Sequence, residues 1–318
     1  MQRKGDFPLF RTIVDVPSPL RQIGVEERHV FLGSCFAEHI GGRFAENHLR
    51  TLVNPTGVLY NPESIAMLLR GEEGDVVFHQ GMWHSWLGDS SLSRRTEEDC
   101  RSAVSEAQGI LCKALAEADN LFLTLGTSHC YVHKPSGRVV ANCHRVPSGE
   151  FDEVELTEDD IVTGLNEALI SLHEQNPRLQ VVFTVSPYRY AKYGFHESQL
   201  SKARLLLAVE RLRLYHPDWV SYFPAYEIVM DELRDYRYYA EDMLHPSAEA
   251  VRYVWQRMKD EWFSPGLLDY LGRWEPISRA LAHRPLNPDD PANAAFHQRT
   301  QQQLEQLQSD FPYLMYNI

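Results

Sequence analysis

Residues 29–44 read HVFLGSCFAEHIGGRF, and this stretch decides the fold. His29, Val30, Phe31 and Leu32 form a short apolar run of the kind that makes a buried strand. Gly33 permits a tight change of direction. Beyond it Phe36, Ile40 and Phe44 recur four apart, which lays them on one face of a helix. Ser34 therefore stands at a strand-to-helix turn. There a hydroxyl lies at the sheet rim, and the helix N-terminus favours a developing negative charge. Serine is also a preferred helix cap, and the turn taken alone favours that plainer role. Cys35 is a second nucleophile type, but one step into a helix it reads as a buried structural thiol.

Outward from this unit the pattern repeats. Apolar runs at 51–53, 121–125, 181–185 and 219–223 alternate with helical stretches at 96–118, 157–175, 197–215 and 247–262. Thr157 and Asp160 stand as N-cap and N3 of the second of these helices. Strands alternating with helices predict an α/β fold, a mostly parallel sheet of five strands covered on both faces. In such sheets the site lies beyond the carboxyl ends of the strands, so the loops starting at Gly33, Asn54, Gly126 and Ser186 share one rim. Residues 70–95 read as an insertion of hairpin character after the second strand. Seven acidic residues between Glu150 and Asp160 read as a solvated loop and helix start. From residue 265 onward, past a linker-like break at Leu286–Pro291, the chain reads as a helical extension packed on the core or on another copy of the chain.

The bulk properties exclude several classes. The 318 residues are enough for a real core, and 43% hydrophobic with 24% charged is an ordinary globular composition. A net charge of -13 argues against nucleic acid or an anionic membrane as partner. No secretory signal and no run of about 18 apolar residues is present. The five scattered cysteines form no C-x-x-C pair, which predicts reduced thiols in a cytoplasmic protein. His129, His133, His144, Cys130 and Cys143 have no zinc-binding spacing, so no metal or other cofactor is expected.

The second constellation is Asp242-Met243-Leu244-His245-Pro246-Ser247. Asp and His three apart, just before a Pro-started helix, let the carboxylate hold one imidazole nitrogen while the other faces a site. Its place near the end of an α/β core that began with Gly-Ser gives the chain order of a nucleophile and its base. That order turns the reading of Ser34 from cap to nucleophile.

FLGSCFAEHIGGRF at 31–44, NPTGVLYNP at 54–62, LGT at 125–127, VANCH at 140–144, VSPYR at 185–189 and DELRDYR at 231–237 together resemble the GSCFA family. These are bacterial proteins assigned to the SGNH/GDSL hydrolase superfamily, and the resemblance runs from about residue 30 to 262. It implies a three-layer α/β/α sandwich over 1–264, with the helical extension at 265–318, and a serine ester hydrolase with Ser34, His245 and Asp242 as its triad. It also implies an oxyanion hole from the N–H groups of Ser34 and Gly57 and an Asn amide. The third block here reads Gly126-Thr127-Ser128-His129, without that Asn, so Asn142 is the replacement expected. Thr127, Ser128 and Arg189 are expected to bind substrate; Arg237 is expected to pair with nearby carboxylates. Trp83, His84 and Trp86 read as a small satellite core in preference to a sugar-stacking wall.

The function expected is hydrolysis of a small-molecule or carbohydrate O-acyl ester, acetyl being the simplest case. The alternatives are an acyltransferase using the same residues, and a glycan-binding or scaffold protein of weak activity, which the missing Asn favours. Assembly into a homo-oligomer is left open.

Overall fold

Alternation along the first strand builds a sheet with two buried faces. The structure is a computed structural model describing residues 11–284 and 291–314. In chain order it holds β1 (Arg28–Gly33), α1 (Cys35–Glu46), β2 (Arg50–Val53), α2 (Pro62–Leu69), β3 (Val76–His79), β4 (Met82–Ser85), α3 (Glu97–Glu117) and β5 (Asn120–Leu125). There follow β6 (His129–His133), β7 (Arg138–Val140), β8 (Phe151–Glu155), α4 (Glu158–Gln175), β9 (Gln180–Val185), α5 (Phe195–Tyr215) and β10 (Val220–Tyr222). Last come α6 (Ala225–Glu227), α7 (Ala248–Trp262), α8 (Pro265–Ala282) and α9 (Pro291–Asp310). Five parallel strands form the main sheet in the order β10-β9-β5-β1-β2. The chain reverses its winding between β1 and β5, so their carboxyl ends open at the switch point where such sheets bind ligands.

Val30 and Leu32 face one side of the sheet, in a core with α2, α3, α4 and α5. Phe31 faces the other, in a core with Phe122, α1, α7 and the C-terminal helices. On that second side Phe31 stacks on Phe122 at 4.4 Å, and Phe44 of α1 packs against Phe31 at 5.0 Å. The result is the three-layer α/β/α arrangement. Leu267, Trp274, Leu304 and Leu307 belong to the second core, so α8 and α9 pack on the same chain. The break expected from residue 286 falls outside the described residues. No helix among the described residues is long and apolar enough to cross a membrane.

Two elements depart from the sequence reading. α2 fills a stretch left unassigned there: all eight of its residues except Glu63 are buried, so no amphipathic period marks it. The acidic run at 150–160 is not all solvated loop. Its first half is β8, which pairs antiparallel with β6 in a small sheet of order β7-β6-β8. Basic partners offset its charges: Lys134 meets Asp152, Lys192 meets Glu153, and Arg204 pairs with Glu155. The second half starts α4 with the expected capping box of Thr157 and Asp160. The insertion is the hairpin β3–β4, and Trp86 beyond it is buried with Val140 and Phe151 as a satellite core.

His29 opens β1 fully buried against Phe44, and burial, with a smaller push from Arg21, draws its ring down to about 3. The folded pKa lies below the unfolded one, so stability is present above the unfolded value and is lost as pH falls from about 6.5 toward 3. In urea unfolding, the margin of the wild type over His29→Gln should shrink by about 2 kcal/mol between pH 7.5 and pH 5. A margin that stays constant would refute this origin of acid sensitivity.

Candidate active site

The turn after β1 is pinned on every side. Gly33 has φ +128°, and a Cβ there would lie 2.2 Å from the Thr124 carbonyl oxygen, so only glycine lets β1 approach β5 this closely. Its N–H donates to Asn54 Oδ1 at 2.9 Å, and its carbonyl accepts from Leu59 N–H at 2.9 Å. Ser34 caps α1: its Oγ accepts the Phe36 N–H at 3.3 Å, and the residue is 0% exposed. The hydroxyl expected at the rim is therefore enclosed.

Cys35, the first residue of α1, is half-buried and keeps an open side. Burial, seconded by Glu38, raises its thiol above the usual value. Against them act the Lys202 charge and the backbone N–H groups of Phe36 and Cys35.

On the facing loop, Asp242 and His245 form a tight pair. Asp242 Oδ1 accepts the N–H groups of Leu244 (2.9 Å) and His245 (3.0 Å), and Oδ2 meets His245 Nδ1 at 2.5 Å. The His245 backbone N–H, then its ring, hold the Asp242 carboxyl down to about 2. With Nδ1–H donated to this carboxylate, Nε2 of the neutral ring is an open acceptor. The ring packs on Tyr188 at 4.3 Å. Burial lowers the pKa of His39, one turn after Cys35 on α1, and His245 adds to that effect. The charge of His245 is thus felt at α1. Tyr188 lies between the two groups: burial raises its hydroxyl, and Asp242 and Cys35 push it further.

The residues expected around this centre are disposed differently. The Ser34 N–H donates to Thr124 O at 3.1 Å and the Gly57 N–H to Asn54 O at 2.8 Å, so both expected oxyanion donors are engaged within the fold. Asn142 lies in the turn after β7, its Oδ1 accepting the His144 N–H and its own N–H donated to Trp86 O. The Thr127 and Ser128 hydroxyls are buried and bond to Ser201 Oγ on α5, both at 3.1 Å. Their role is to fasten the β5 loop to a helix. Arg189 holds the dyad loop: its N–H donates to Leu244 O and Nη1 to Met243 O, each at 3.1 Å. Its guanidinium lies over Phe195 at 4.4 Å, Tyr239 at 5.3 Å and Tyr236 at 5.6 Å. Arg237 pairs with Asp235 at 3.4 Å, as expected.

Two features went unread in the sequence. Lys202 of α5 is wholly buried, and its Nζ donates to Gly126 O and Ser186 O, both at 2.6 Å, across the ends of β5 and β9. Burial draws it down to about 7. A signal was present, because Lys202 falls in helical register with buried Ser198, Leu205 and Val209. Tyr190 stands edge-on to Tyr188 at 4.6 Å and to Tyr60 at 6.5 Å, and its hydroxyl is buried without a partner. Asn54 Nδ2, on the same rim, is likewise buried without an acceptor. Beside the dyad loop lies a cavity of about 470 Å³ lined by Arg189, Gln199, Asp231, Tyr236 and Tyr239 among others.

Comparison with known proteins adds the following. The model described as GSCFA family matches residues 28–258, and that described as GSCFA domain protein, C-terminal domain, matches 274–317. No curated protein matches the sequence. Among solved structures, one from Streptococcus pneumonia, whose description refers to a platelet activating factor, is 15% identical with a TM-score of 0.31, over 49% of this chain and 67% of that one. An acetyl xylan esterase from the rumen bacterium Butyrivibrio proteoclasticus is 12% identical with a TM-score of 0.35, over 83% of this chain and 66% of that one. The chain spans about two thirds of the length of each.

Proposed function

The chain belongs to the GSCFA family, and from that premise we propose that it is an ester hydrolase of the SGNH type, working through a covalent acyl-enzyme. The observation that carries this reading is the Asp242–His245 pair, fixed by three hydrogen bonds on one loop, with the His245 ring packed on Tyr188. A carboxylate that fixes the tautomer at Nδ1 makes Nε2 a general base. The Gly33-Ser34-Cys35 turn supplies the nucleophile at the head of a helix, where negative charge is favoured. A rim of the exposed Tyr60 and the half-buried Tyr188, with a polar cavity across the dyad loop, suits a short acyl group on a polyhydroxylated alcohol such as a sugar.

The same residues would serve acyl transfer to a sugar. One observation favours water as acceptor: the side chains of Asp242 and His245 are each 43% exposed, so the base is not shielded from solvent. The test is turnover of short-chain p-nitrophenyl esters and of acetylated oligosaccharides by the full chain. The expected result is hydrolysis by the wild type and a loss of about 10²–10⁴-fold in His245→Gln. Absence of turnover in the wild type, or turnover indifferent to His245, would reject the reading.

A further inference from the structure

We propose that Cys35, and not Ser34, is the nucleophile of this site, and that the buried Lys202 is the cation that opposes its thiolate. The inference rests on the acyl-transfer reading and specifies its first bond. Ser34 is poorly placed for the task. Its hydroxyl is enclosed and caps α1, and its N–H is bound to Thr124. To attack a substrate it would have to leave the cap, at a cost of about 1 kcal/mol, and the turn joining β1 to α1 would have to open.

Cys35 needs no such movement. It is the first helical residue and partly exposed, so its sulfur stands at the N-terminal end of α1. A helix start and a nearby cation are the two features that convert a structural thiol into a reactive one. Lys202 fits the second part. Among the described residues it meets no carboxylate; its hydrogen-bond partners are two carbonyl oxygens, neither of which carries a compensating charge. Its electrostatic partner is Cys35. The buried, unpartnered Tyr190 hydroxyl is an independent sign that this rim is built for a ligand. It lies against Gly126, its ring 5.1 Å from Lys202 Nζ, and its own ionisation is opposed by Cys35 after burial and Tyr60. Leaving such a donor without an acceptor costs about 1–3 kcal/mol, a cost that a bound carbonyl or ether oxygen would relieve.

The chemistry balances with water as co-substrate. The Cys35 sulfur attacks the ester carbonyl carbon while its proton passes to His245 Nε2. The tetrahedral adduct collapses, the carbon–oxygen bond of the ester breaks, and the departing alkoxide takes the proton from Nε2. A thioester on Cys35 remains. Water attacks it, giving a proton to Nε2; the carbon–sulfur bond breaks, the acid leaves, and the sulfur is protonated again.

The experiment is acid-quenched mass spectrometry of the full chain with a short-chain p-nitrophenyl ester, followed by peptide mapping. The expected adduct lies on Cys35, is released by neutral hydroxylamine, and is absent from Cys35→Ala. Ser34→Ala should keep turnover within a few-fold, with circular dichroism confirming that each variant is folded. An adduct on Ser34, or full turnover in Cys35→Ala, overturns the inference while leaving the acyl-enzyme reading intact. A wild type that turns over no ester defeats both. For Lys202, the Lys202→Gln variant keeps a donor for the two carbonyls and removes the charge. Alkylation of Cys35 by iodoacetamide at pH 7 should then slow by about tenfold, the effect of roughly one unit of thiol pKa. An unchanged rate removes Lys202 from the proposal.

Discussion

Asp242→Asn is expected to lower kcat/KM for a short-chain ester by about 10⁴-fold with the fold unchanged. The argument is local. Asp242 Oδ1 accepts the Leu244 and His245 backbone N–H groups, and an amide oxygen can accept both equally well. The loop therefore keeps its shape. What changes is the group facing Nδ1, now an N–H₂ donor where Oδ2 had been an acceptor at 2.5 Å. A donor there forces Nδ1 to be the unprotonated nitrogen and moves the proton to Nε2. The ring keeps its position and ceases to be a base. His245→Ala should cost a similar amount. The double variant should lose no more than either single one, because the two residues act as a unit. Initial-rate kinetics and the imidazole nitrogen shifts in NMR read the two halves of this claim. A tautomer shift without loss of rate would remove His245 from the chemistry; additive losses would separate the two residues into independent roles.

The sequence carried some of this and not the rest, for identifiable reasons. The five strands were legible to within about two residues, because each is an apolar run stopped by Gly, Pro or a polar turn. The Asp242–His245 contact was legible because it lies within one loop, between residues three apart. Which residue of the Ser34–Cys35 pair opens to solvent was not. Neighbours at a helix start point in directions about 100° apart, and the outcome depends on whether the cap falls at residue 34 or 35. The fate of the expected oxyanion donors was hidden for a related reason. The Ser34 N–H is taken by Thr124, whose place beside it is set by the parallel register of β1 and β5 across ninety residues of chain. The small sheet of β6, β7 and β8 was hidden because its charged strand is stabilised by cations on α5 and on the loop before it, far along the chain.

The largest stability effect is expected away from this centre, at Arg257→Met, which should lower the unfolding free energy by about 3–5 kcal/mol. Glu232 has no exposed side-chain surface, yet it is charged and well supplied. Arg257 Nη1 reaches both of its oxygens at 3.0 and 2.9 Å, and Tyr253 OH and the Val14 N–H donate to it as well. Arg257 Nη2 donates to Val14 O at 2.9 Å, so one ion pair staples the N-terminal segment to α7. Removing the cation leaves a carboxylate enclosed with two neutral donors, and the desolvation once offset by Arg257 is then uncompensated. The variant also has a signature in pH. Its buried carboxyl should have a raised folded pKa, so the folded state holds a proton longer than the unfolded one, and the deficit should shrink as pH falls below that raised value. Glu232→Leu combined with Arg257→Met, which removes both charges, should recover most of the loss. Urea unfolding of the wild type and the two variants at pH 5 and pH 8 decides the matter. A loss below about 1 kcal/mol in Arg257→Met would mean the pair behaves like a surface contact. The site should feel the same change, because Glu232 lies on the π-helical turn Ile228–Leu233, and that turn leads into the loop carrying Asp242 and His245. Arg257→Met should therefore raise KM at temperatures well below its unfolding midpoint, whereas the double variant should not.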